Sequence, residues 1–425
     1  MNPAAPTQVD VAIVGGGMVG ASLALALAGT AKRVLLVEAV APDSSAQPSF
    51  DERTTALGNG SRRVFETLGV WPRLAAHAGA VREIRVSEAG RAGAARLVAA
   101  EQGLEALGYV VSNRQLGLAL WQQLAARAEL ELRVPARLHA LQLGADAATL
   151  RIRSASPGAS EAGAATGSRA GAERSETVQA RVVVAADGAH SLVRAAAGIA
   201  AAVEDYGQVA VVVHVATDLP SAGIAFERFT ATGPLAVLPL ADGRYTVVWT
   251  LAPERARAVC ALDDRSFAAA LQLDFGWRIG RIVRVGARAV YPLQLSRAEG
   301  MVGARAVLVG NAAQALHPVA GQGFNLGLRD AALLAEMLAA AADPGAPGVL
   351  EDYERRRAAD RRGMIGFTDG LVRLFASEQP GVPLGRNLAL SLFDLAPGAK
   401  RALARLSWGF GGEAPRLLRG LPVSG

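Results

Sequence analysis

A glycine-rich turn near the start of the chain constrains its fold more than any other feature. The short apolar run Val9 to Val14 is typical of a buried parallel strand, and it leads into the pattern G-x-G-x-x-G at Gly15, Gly17 and Gly20. The first glycine permits a tight turn, the second lets the backbone approach a pyrophosphate, and the third lets the next helix pack closely on the strand. The pattern predicts a dinucleotide-binding unit.

An acidic residue follows at the spacing that such a unit requires. Met18 to Ala28 is predicted as a helix and Val34 to Val37 as a second buried strand, with Glu38 at its end. A carboxylate at this position accepts hydrogen bonds from ribose hydroxyls. The alternative is a glycine-rich turn without a ligand. The strand, the helix and Glu38 together favour the dinucleotide site.

A second candidate site is the pair Asp187 and Gly188. It follows Val182 to Ala186, a run that is again typical of a buried parallel strand. The pair would form a tight turn at the carboxyl edge of the sheet, where α/β proteins bind their ligands. An ordinary Asp-Gly turn is the alternative.

A third candidate lies between Leu308 and Glu336. A buried strand ends at Gly310 and Asn311, and a glycine-containing loop then leads into a helix that is predicted to begin near Asn325. Free backbone N–H groups beside a positive helix end suit a group that becomes anionic. For Gln322 and Asn325 the alternative role is capping of that helix.

The remaining pattern predicts an α/β fold with an inserted α+β domain. Parallel-type strands recur at the start, near residue 185 and near residue 308, whereas the strands predicted between Val81 and Leu251 alternate as in an antiparallel sheet. Ser154 to Thr177 is rich in Gly, Ala and Ser and is predicted to be an exposed hairpin loop. The predicted domains are a discontinuous nucleotide-binding domain (1–75, 109–200 and 286–345), an antiparallel-sheet substrate domain (76–108 and 204–285) and a C-terminal helical region (346–425).

Composition narrows the class of protein. Hydrophobic residues make up 51% of the 425 residues and charged residues 19%, so a membrane span has to be considered. The charge-free run Val11 to Ala31 is long enough, but it is better interpreted as the first strand and helix. The first residues lack the features of a signal peptide, and Cys260 is the single cysteine. We expect a cytoplasmic protein without an internal disulfide and without a metal site.

The positive charge does not by itself identify a partner. The formal net charge is +6 and the sequence pI is about 10.0, but the arginines are scattered and aromatic residues make up only 5%. We therefore predict no nucleic-acid partner. An anionic dinucleotide or an acidic membrane surface explains the charge better, and a coding preference for arginine is also sufficient.

The three motifs and four further stretches carry a resemblance to a known family. The stretches are DERTTALGNGSRRVFETLGVW from Asp51, FERFTATGPLAVLPLADGRYTVVW from Phe226, FGWRIG from Phe275 and YPLQL from Tyr291. The sequence resembles the group A flavoprotein monooxygenases, the class that contains 4-hydroxybenzoate hydroxylase. Within that class it is most similar to the ubiquinone-biosynthesis hydroxylases that act on 2-polyprenyl-6-methoxyphenol.

The resemblance implies a set of FAD-binding residues. Those near the ADP half would be Gly15, Gly17, Gly20 and Glu38; those near the flavin, ribityl and pyrophosphate would be Arg53, Arg114, Gly310 and Asn311; Asp187 and Gly188 would serve both FAD and the nicotinamide cofactor; and His317, Pro318, Gly321, Gln322, Gly323, Phe324 and Asn325 would border the isoalloxazine ring. Asn311 stands where the class usually has Asp, so its contact with a ribityl hydroxyl would lack charge assistance.

The resemblance also implies a reaction. FAD, reduced by NADPH or NADH, would form a C4a-hydroperoxide with dioxygen and hydroxylate a polyprenylated phenol. We assign no general base, because His214, Tyr206, Tyr245 and Tyr291 are better interpreted as structural residues. A sibling enzyme of the pathway, a soluble-phenol hydroxylase and a non-catalytic flavin-binding subunit remain alternatives. Ring position, prenyl length and oligomeric state stay open.

A substrate that resides in the bilayer requires contact with a membrane surface or with a biosynthetic complex. The region Leu371 to Leu421 alternates apolar runs with basic residues and contains Trp408 and Phe410. Such a region can bind anionic lipid from the inner face of the membrane. The alternative is that these helices only cover the two sheets.

Overall fold

The computed structural model describes residues 6–44, 47, 49–154, 174–377, 379–409 and 414–423. Most of the loop predicted between Ser154 and Thr177 lies outside these residues, as does Phe410. The described ends of that loop, Ser154 and Arg174, are opposite each other in an antiparallel strand pair.

A mostly parallel sheet forms around the first strand. Its strands are β1 (Thr7–Val14), β2 (Val34–Val37), β8 (Leu130–Arg133), β9 (Ala136–Leu143), β10 (Ala148–Ser154), β11 (Arg174–Ala185), β17 (Val302–Gly303) and β18 (Ala306–Leu308). The order is β17-β18-β11-β1-β2-β8, and β10 and β9 extend from β11. The pairs among β18, β11, β1, β2 and β8 are parallel, which confirms the α/β prediction.

The apolar runs of the sequence form the centre of this sheet. Val11 to Ile13 and Val182 to Ala185 are fully or almost fully buried on both faces, because helices cover both sides of a parallel sheet. The helices of this region are α1 (Met18–Leu27), α2 (Asn59–Thr67), α3 (Trp71–Leu74), α4 (Asn113–Ala125), α5 (Leu192–Ala196) and α8 (Gln322–Ala340). A small sheet, β3 (Thr54–Gly58), β7 (Gly108–Ser112) and β4 (Gly79–Val81), lies beside them.

A second large sheet carries its own core. Its strands are β5 (Glu83–Glu88), β6 (Ala94–Val98), β12 (Ala201–Thr217), β13 (Ile224–Thr230), β14 (Gly233–Pro239), β15 (Tyr245–Leu251), β16 (Ile282–Ala298) and β19 (Gln314–Ala315). The order is β19-β16-β12-β15-β14-β13-β5-β6. Trp249, Phe267 and Phe275 are buried in this core, on which α6 (Pro253–Cys260) and α7 (Asp264–Phe275) pack.

Two sequence-based expectations about strands need correction. The predicted antiparallel sheet contains one parallel pair, β5 with β13, because β5 comes from a distant part of the chain and no tight turn joins the two strands. The strand predicted at Val81 to Ser87 is divided between β4 and β5 at Arg82. The predicted domain boundary at residue 286 falls inside β16, which pairs with β12 as far as Ala298. The domain limits themselves stay a prediction.

The C-terminal region is helical, as predicted. Its helices are α9 (Pro347–Ala376), α10 (Val382–Asp394) and α11 (Pro397–Ser407). Among the described residues, no helix combines the length and the apolar character needed to span a bilayer.

Candidate active site

A cavity of about 1720 Å³ joins the predicted motifs. It begins at the carboxyl ends of β1 and β2, passes the loop before α8, and continues between the second sheet and the C-terminal helices. Its volume exceeds the roughly 300–1,000 Å³ of a cavity for one drug-sized ligand. The cavity therefore has room for a dinucleotide and a second molecule.

The glycine motif forms one end of the cavity and has two different roles there. Gly15 and Gly17 line the cavity, whereas Gly20 does not. Gly15 has a φ of +102°, and a Cβ at Gly20 would lie 1.9 Å from the Gly15 carbonyl oxygen. Gly20 is thus required for packing of α1 on the turn. A Cβ at Gly17 would point toward Ser49 Oγ, 3.1 Å away, so its absence leaves space for a ligand.

Glu38 is held at the same end of the cavity. Its carboxylate accepts hydrogen bonds from the backbone N–H of Gly16 at 2.5 Å and of Val40 at 2.9 Å. The Trp121 indole N–H donates to the Gly16 carbonyl at 3.0 Å and fixes the turn from the other side. The acid that was predicted to contact ribose is therefore buried and pre-oriented beside Gly15 and Gly17.

The two predicted arginines are placed differently. Arg53 lines the cavity, pairs with Asp51 at 2.6 Å and lies over the ring of Tyr291. Arg114 is the second residue of α4, but its side chain is exposed, pairs with Glu52 and does not line the cavity. Its neighbour Asn113 does line the cavity. The backbone N–H of Arg114 already donates to the Asp51 carbonyl at 3.1 Å, and a side-chain contact with a ligand would require Glu52 to release Arg114.

The Asp187 and Gly188 turn is open to the cavity. Asp187 Oδ2 accepts hydrogen bonds from the Leu192 N–H at 2.8 Å and the Val193 N–H at 3.4 Å, at the start of α5. Asp187 Oδ1 is buried, and no described residue donates a hydrogen bond to it. A buried carboxylate oxygen normally has a partner, so a ligand donor fits this position. The predicted turn therefore caps α5 and also faces the cavity.

The turn at Gly310 is fixed from behind. Gly310 has a φ of +58°, does not line the cavity, and donates its N–H to Asp330 Oδ2 at 3.2 Å. Asp330 is fully buried and pairs with Arg357 at 2.7 Å. Asn311, the next residue of the turn, does line the cavity. Asp330 was not predicted from the sequence, although an ionisable residue in a helix that is otherwise apolar on this side was a usable signal.

The loop before α8 presents backbone to the cavity. The residues of this loop and of the first turn that line it are Pro318, Gly321, Gln322, Gly323, Phe324 and Asn325. Helix α8 begins at Gln322, three residues earlier than predicted, after Gly321 with a φ of +60° and without a side-chain cap. The first N–H groups of a long helix thus face the cavity with their positive dipole end.

Asn325 and His317 hold this loop in place. Asn325 Oδ1 accepts from the Gly58 N–H at 3.0 Å and the Ser61 hydroxyl at 2.7 Å, and its Nδ2 donates to the Ala56 and Gly321 carbonyls. Asn325 therefore ties the loop to β3 and does not cap α8. His317 is 1% exposed and lies behind the cavity wall, where Nδ1 accepts from the Val319 N–H. Burial lowers the pKa of His317 to about 4, so it is neutral at physiological pH.

The far part of the cavity is apolar. Side chains from β5, β6, β13, β14 and β15 form one wall and side chains from α9, α10 and α11 form the other: Ile84, Val86, Ala95, Leu97, Ala225, Phe229, Ala236, Leu238, Val248, Phe367, Leu371, Phe375, Leu390, Phe393 and Leu403. We call this part the apolar chamber. One carboxyl group, that of Glu227 on β13, stands in its wall, and the sequence analysis did not single it out.

The residues present fit an FAD molecule. The glycine turn leaves space at Gly17, Glu38 offers a fixed carboxylate, Asp187 Oδ1 lacks a donor, and two uncapped helix N-termini, those of α1 and α8, open on the same cavity. A diphosphate and a flavin that becomes anionic on reduction are the two parts of FAD that such helix ends favour.

Comparisons with known proteins agree with this geometry. The FAD binding domain family matches residues 8–368. The chain is 37% identical to the ubiquinone hydroxylase UbiL of Rhodospirillum rubrum, over 97% of this chain and 93% of that protein. It is 34% identical to the 3-demethoxyubiquinol 3-hydroxylase of Escherichia coli K12, over 94% and 98% of the two chains.

The fold is shared with enzymes of more distant sequence. The crystal structure of p-nitrophenol 4-monooxygenase PnpA from Pseudomonas putida DLL-E4 superposes with a TM-score of 0.75 at 19% identity, covering 96% of this chain and 99% of that one. Hydroxylases of this kind use NAD(P)H as co-substrate. The chain belongs to the FAD-dependent hydroxylase family of ubiquinone biosynthesis and is an FAD-dependent monooxygenase.

Proposed function

We propose that this enzyme hydroxylates the ring of a polyprenylated phenol in ubiquinone biosynthesis, with 2-polyprenyl-6-methoxyphenol as the preferred substrate. The observation that carries the proposal is the continuity of the cavity. Its polar end has the dinucleotide-type turn and Glu38, and its other end is the apolar chamber. A phenol with a long hydrocarbon tail is the kind of second molecule that such a chamber takes up by burial of apolar surface.

The predicted site residues then receive individual roles. Gly15, Gly17 and Glu38 hold the ADP half of FAD, and Gly20 supports them through packing. Arg53, Asn113 and Asn311 lie along the middle of the molecule, where the pyrophosphate and ribityl groups pass. Gly321 to Asn325 and Pro318 border the flavin ring. Asp187 and Gly188 contact FAD and lie where NADPH or NADH approaches.

The protein contributes positioning, electrostatics and exclusion of water. Bound FAD, once reduced by NAD(P)H, supplies the activation of dioxygen and the oxygen atom that is transferred to the ring. The N-terminus of α8 would stabilise negative charge at the flavin edge, because its uncapped first turn opens on the cavity. The chamber walls keep the phenol ring dry and oriented.

We further propose that the enzyme collects its substrate at a membrane surface, on the cytoplasmic side. Helix α10 has two apolar sides. Leu390 and Phe393 line the chamber, whereas Leu384, Leu388 and Leu392 are 72%, 58% and 57% exposed. One helix thus connects the chamber wall with an exposed apolar stripe of three turns, as expected for an element that lies in the membrane interface.

The test is product analysis with purified protein, NADPH or NADH, and phenols that carry a short prenyl tail. We expect one added oxygen atom on the prenylated 6-methoxyphenol, and a lower kcat/KM for the same ring without a tail. A demethoxyubiquinol with the same tail serves as the comparison substrate, because it distinguishes ring positions. Equal turnover with and without the tail would contradict binding of the tail in the apolar chamber. The absence of a hydroxylated product from every phenol would contradict the proposed function.

A further inference from the structure

A carboxyl group in the wall of the apolar chamber has no structural role that the fold explains. Glu227 is the central residue of β13, and its Oε1 is buried without a hydrogen-bond donor from any described residue. Leaving a buried polar atom without a hydrogen-bond partner destabilises the fold, and a charged group does so more strongly. Among the described parts of the chain, this atom can therefore be satisfied only by something bound in the cavity.

The position of Glu227 is next to the proposed flavin edge. Ala225, Glu227 and Phe229 share one face of β13, because side chains alternate along a strand, and all three line the cavity. Phe229 packs with Val319 of the loop before α8. Two residues along a strand correspond to about 6.8 Å. Glu227 is therefore the next residue on this face of β13 after Phe229, which contacts the loop.

The residues paired with Glu227 across the strands are apolar. Its partners across the strands are Val86 on β5 and Ala236 on β14, and α9 contributes Phe375, which stacks on Phe229. Burial alone raises the pKa of Glu227 to about 7, without a contribution from a charged neighbour. A carboxyl with this pKa changes its charge within the physiological range.

Other candidate bases in the cavity are less suitable. Tyr109 lines the cavity, but burial raises its pKa above 10, so it stays a neutral phenol. His317 lies behind the wall and uses Nδ1 to accept from Val319 N–H. Asp187 and Glu38 lie at the other end, where backbone N–H groups hold their carboxylates, and His190 is exposed in the same turn as Asp187.

We propose that Glu227 is the general base for the hydroxylation proposed above: its carboxylate accepts the hydroxyl proton of the substrate phenol. The O–H bond of the phenol breaks, its electron pair stays on the phenol oxygen, and a new O–H bond forms on Glu227. The resulting phenolate pushes electron density into the ring and makes the ring carbon a better nucleophile. After oxygen transfer, the attacked ring carbon carries both its hydrogen and the new hydroxyl group. This C–H bond breaks as the ring regains aromaticity, and its proton goes to the oxygen left behind when the O–O bond of the oxygen donor breaks. Glu227 returns its own proton to the phenol oxygen.

The experiment uses the FAD-loaded enzyme and the variant Glu227→Gln, which keeps the size of the side chain and removes the base. Glu254→Gln is the matched control, because Glu254 is 77% exposed on α6 and pairs only with Arg257 among the ion pairs of the described residues. We expect Glu227→Gln to retain FAD and to bind the phenol within about twofold of the wild type. We expect its kcat for hydroxylated product to fall about 100-fold, as for loss of a general base.

The pH profile separates a base from a merely structural residue. In the wild type the carboxylate is present above its pKa, so kcat should rise with pH and level off above about 7. In Glu227→Gln this acid limb should disappear. Ring-fluorinated substrates have hydroxyl groups that ionise more readily. They should restore most of the activity that the variant has lost, and they should change the activity of the wild type little.

The outcomes are distinct. If the wild type forms no hydroxylated product, the proposed function fails and the role of Glu227 fails with it. If the wild type hydroxylates but Glu227→Gln shows normal kcat, or keeps the acid limb, the assignment of Glu227 is overturned and the function stands. Loss of FAD in Glu227→Gln, or a rise in KM alone, would also overturn it, because either result indicates a binding or structural role.

Discussion

At the scale of single residues, the space at the polar end of the cavity depends on the absence of a side chain at Gly17. Its Cβ position faces the cavity near Ser49, whereas the Cβ positions of Gly15 and Gly20 face protein backbone at less than 3 Å. A side chain at Gly15 or Gly20 would therefore disturb the fold itself. A side chain at Gly17 would chiefly occupy the space proposed for the pyrophosphate.

We predict that Gly17→Val yields folded protein that retains little or no FAD. The branched side chain would fill the ligand space next to the N-terminus of α1. The measurement is the flavin released on heating per mole of purified protein, with circular dichroism to verify folding. Gly348→Val is the control, because a Cβ at Gly348 meets open space at the start of α9. A folded Gly17→Val with normal flavin content would refute this placement of FAD.

Residues whose role follows from the backbone were predictable, and residues whose role depends on tertiary contacts were not. Gly15 and Glu38 follow a local pattern that dictates their conformation. Glu227 and Asp330 look like ordinary acids in the sequence, and only the packing of distant strands and helices shows that Asp330 and the Oε1 atom of Glu227 are buried. The resemblance implied a cofactor contact for Arg114, but it did not reveal the contact of this side chain with Glu52.

At the scale of elements, the C-terminal region packs on the core, whereas the membrane contact that the sequence left open stays a proposal. Leu417 and Leu418 are almost fully buried in the main core, and Trp408 donates to the Leu107 carbonyl. Truncation after residue 398 would remove these contacts and destabilise the whole protein. The basic residues Arg386 and Lys400 are buried in ion pairs with Glu88 and Asp394. Substitutions in the exposed stripe of α10 therefore test membrane contact more specifically than truncation of the whole C-terminal region does.

We predict that the triple substitution Leu384→Ser, Leu388→Ser and Leu392→Ser reduces binding to anionic phospholipid vesicles at least tenfold. Loss of three exposed apolar side chains removes the surface that would enter the bilayer interface, with little effect on the core. The measurement is vesicle co-sedimentation, and retention of FAD verifies folding. Leu273→Ser is the control, because Leu273 is 84% exposed on α7, the helix that packs on the second sheet. Unchanged sedimentation of the triple variant would place the docking site elsewhere.

At the scale of the whole molecule, the individual motifs of the site could be predicted from the sequence better than their arrangement around one cavity. The parallel strands β1, β2, β11 and β18 were recognisable because their runs are apolar on both faces. The parallel strand β8, with the sequence LELR, was not predicted, because it lacks such a run. The convergence of residues near 15, 187 and 320 follows from the order of β18, β11, β1 and β2 in one sheet, whose carboxyl ends open on the same cavity. The apolar chamber was not predictable, because its walls come from a sheet and from helices that are separated by more than a hundred residues.

The central claim is that one continuous cavity lets FAD-dependent oxygen chemistry reach a phenol held in the apolar chamber. The most direct measurement is a turnover of purified enzyme with NAD(P)H and the prenylated 6-methoxyphenol under ¹⁸O₂ in ordinary water. The account predicts that mass spectrometry of the product shows one ¹⁸O atom on the aromatic ring. A hydroxylated product whose new oxygen comes from water, or oxidation of NAD(P)H with the phenol recovered unchanged, would contradict the account.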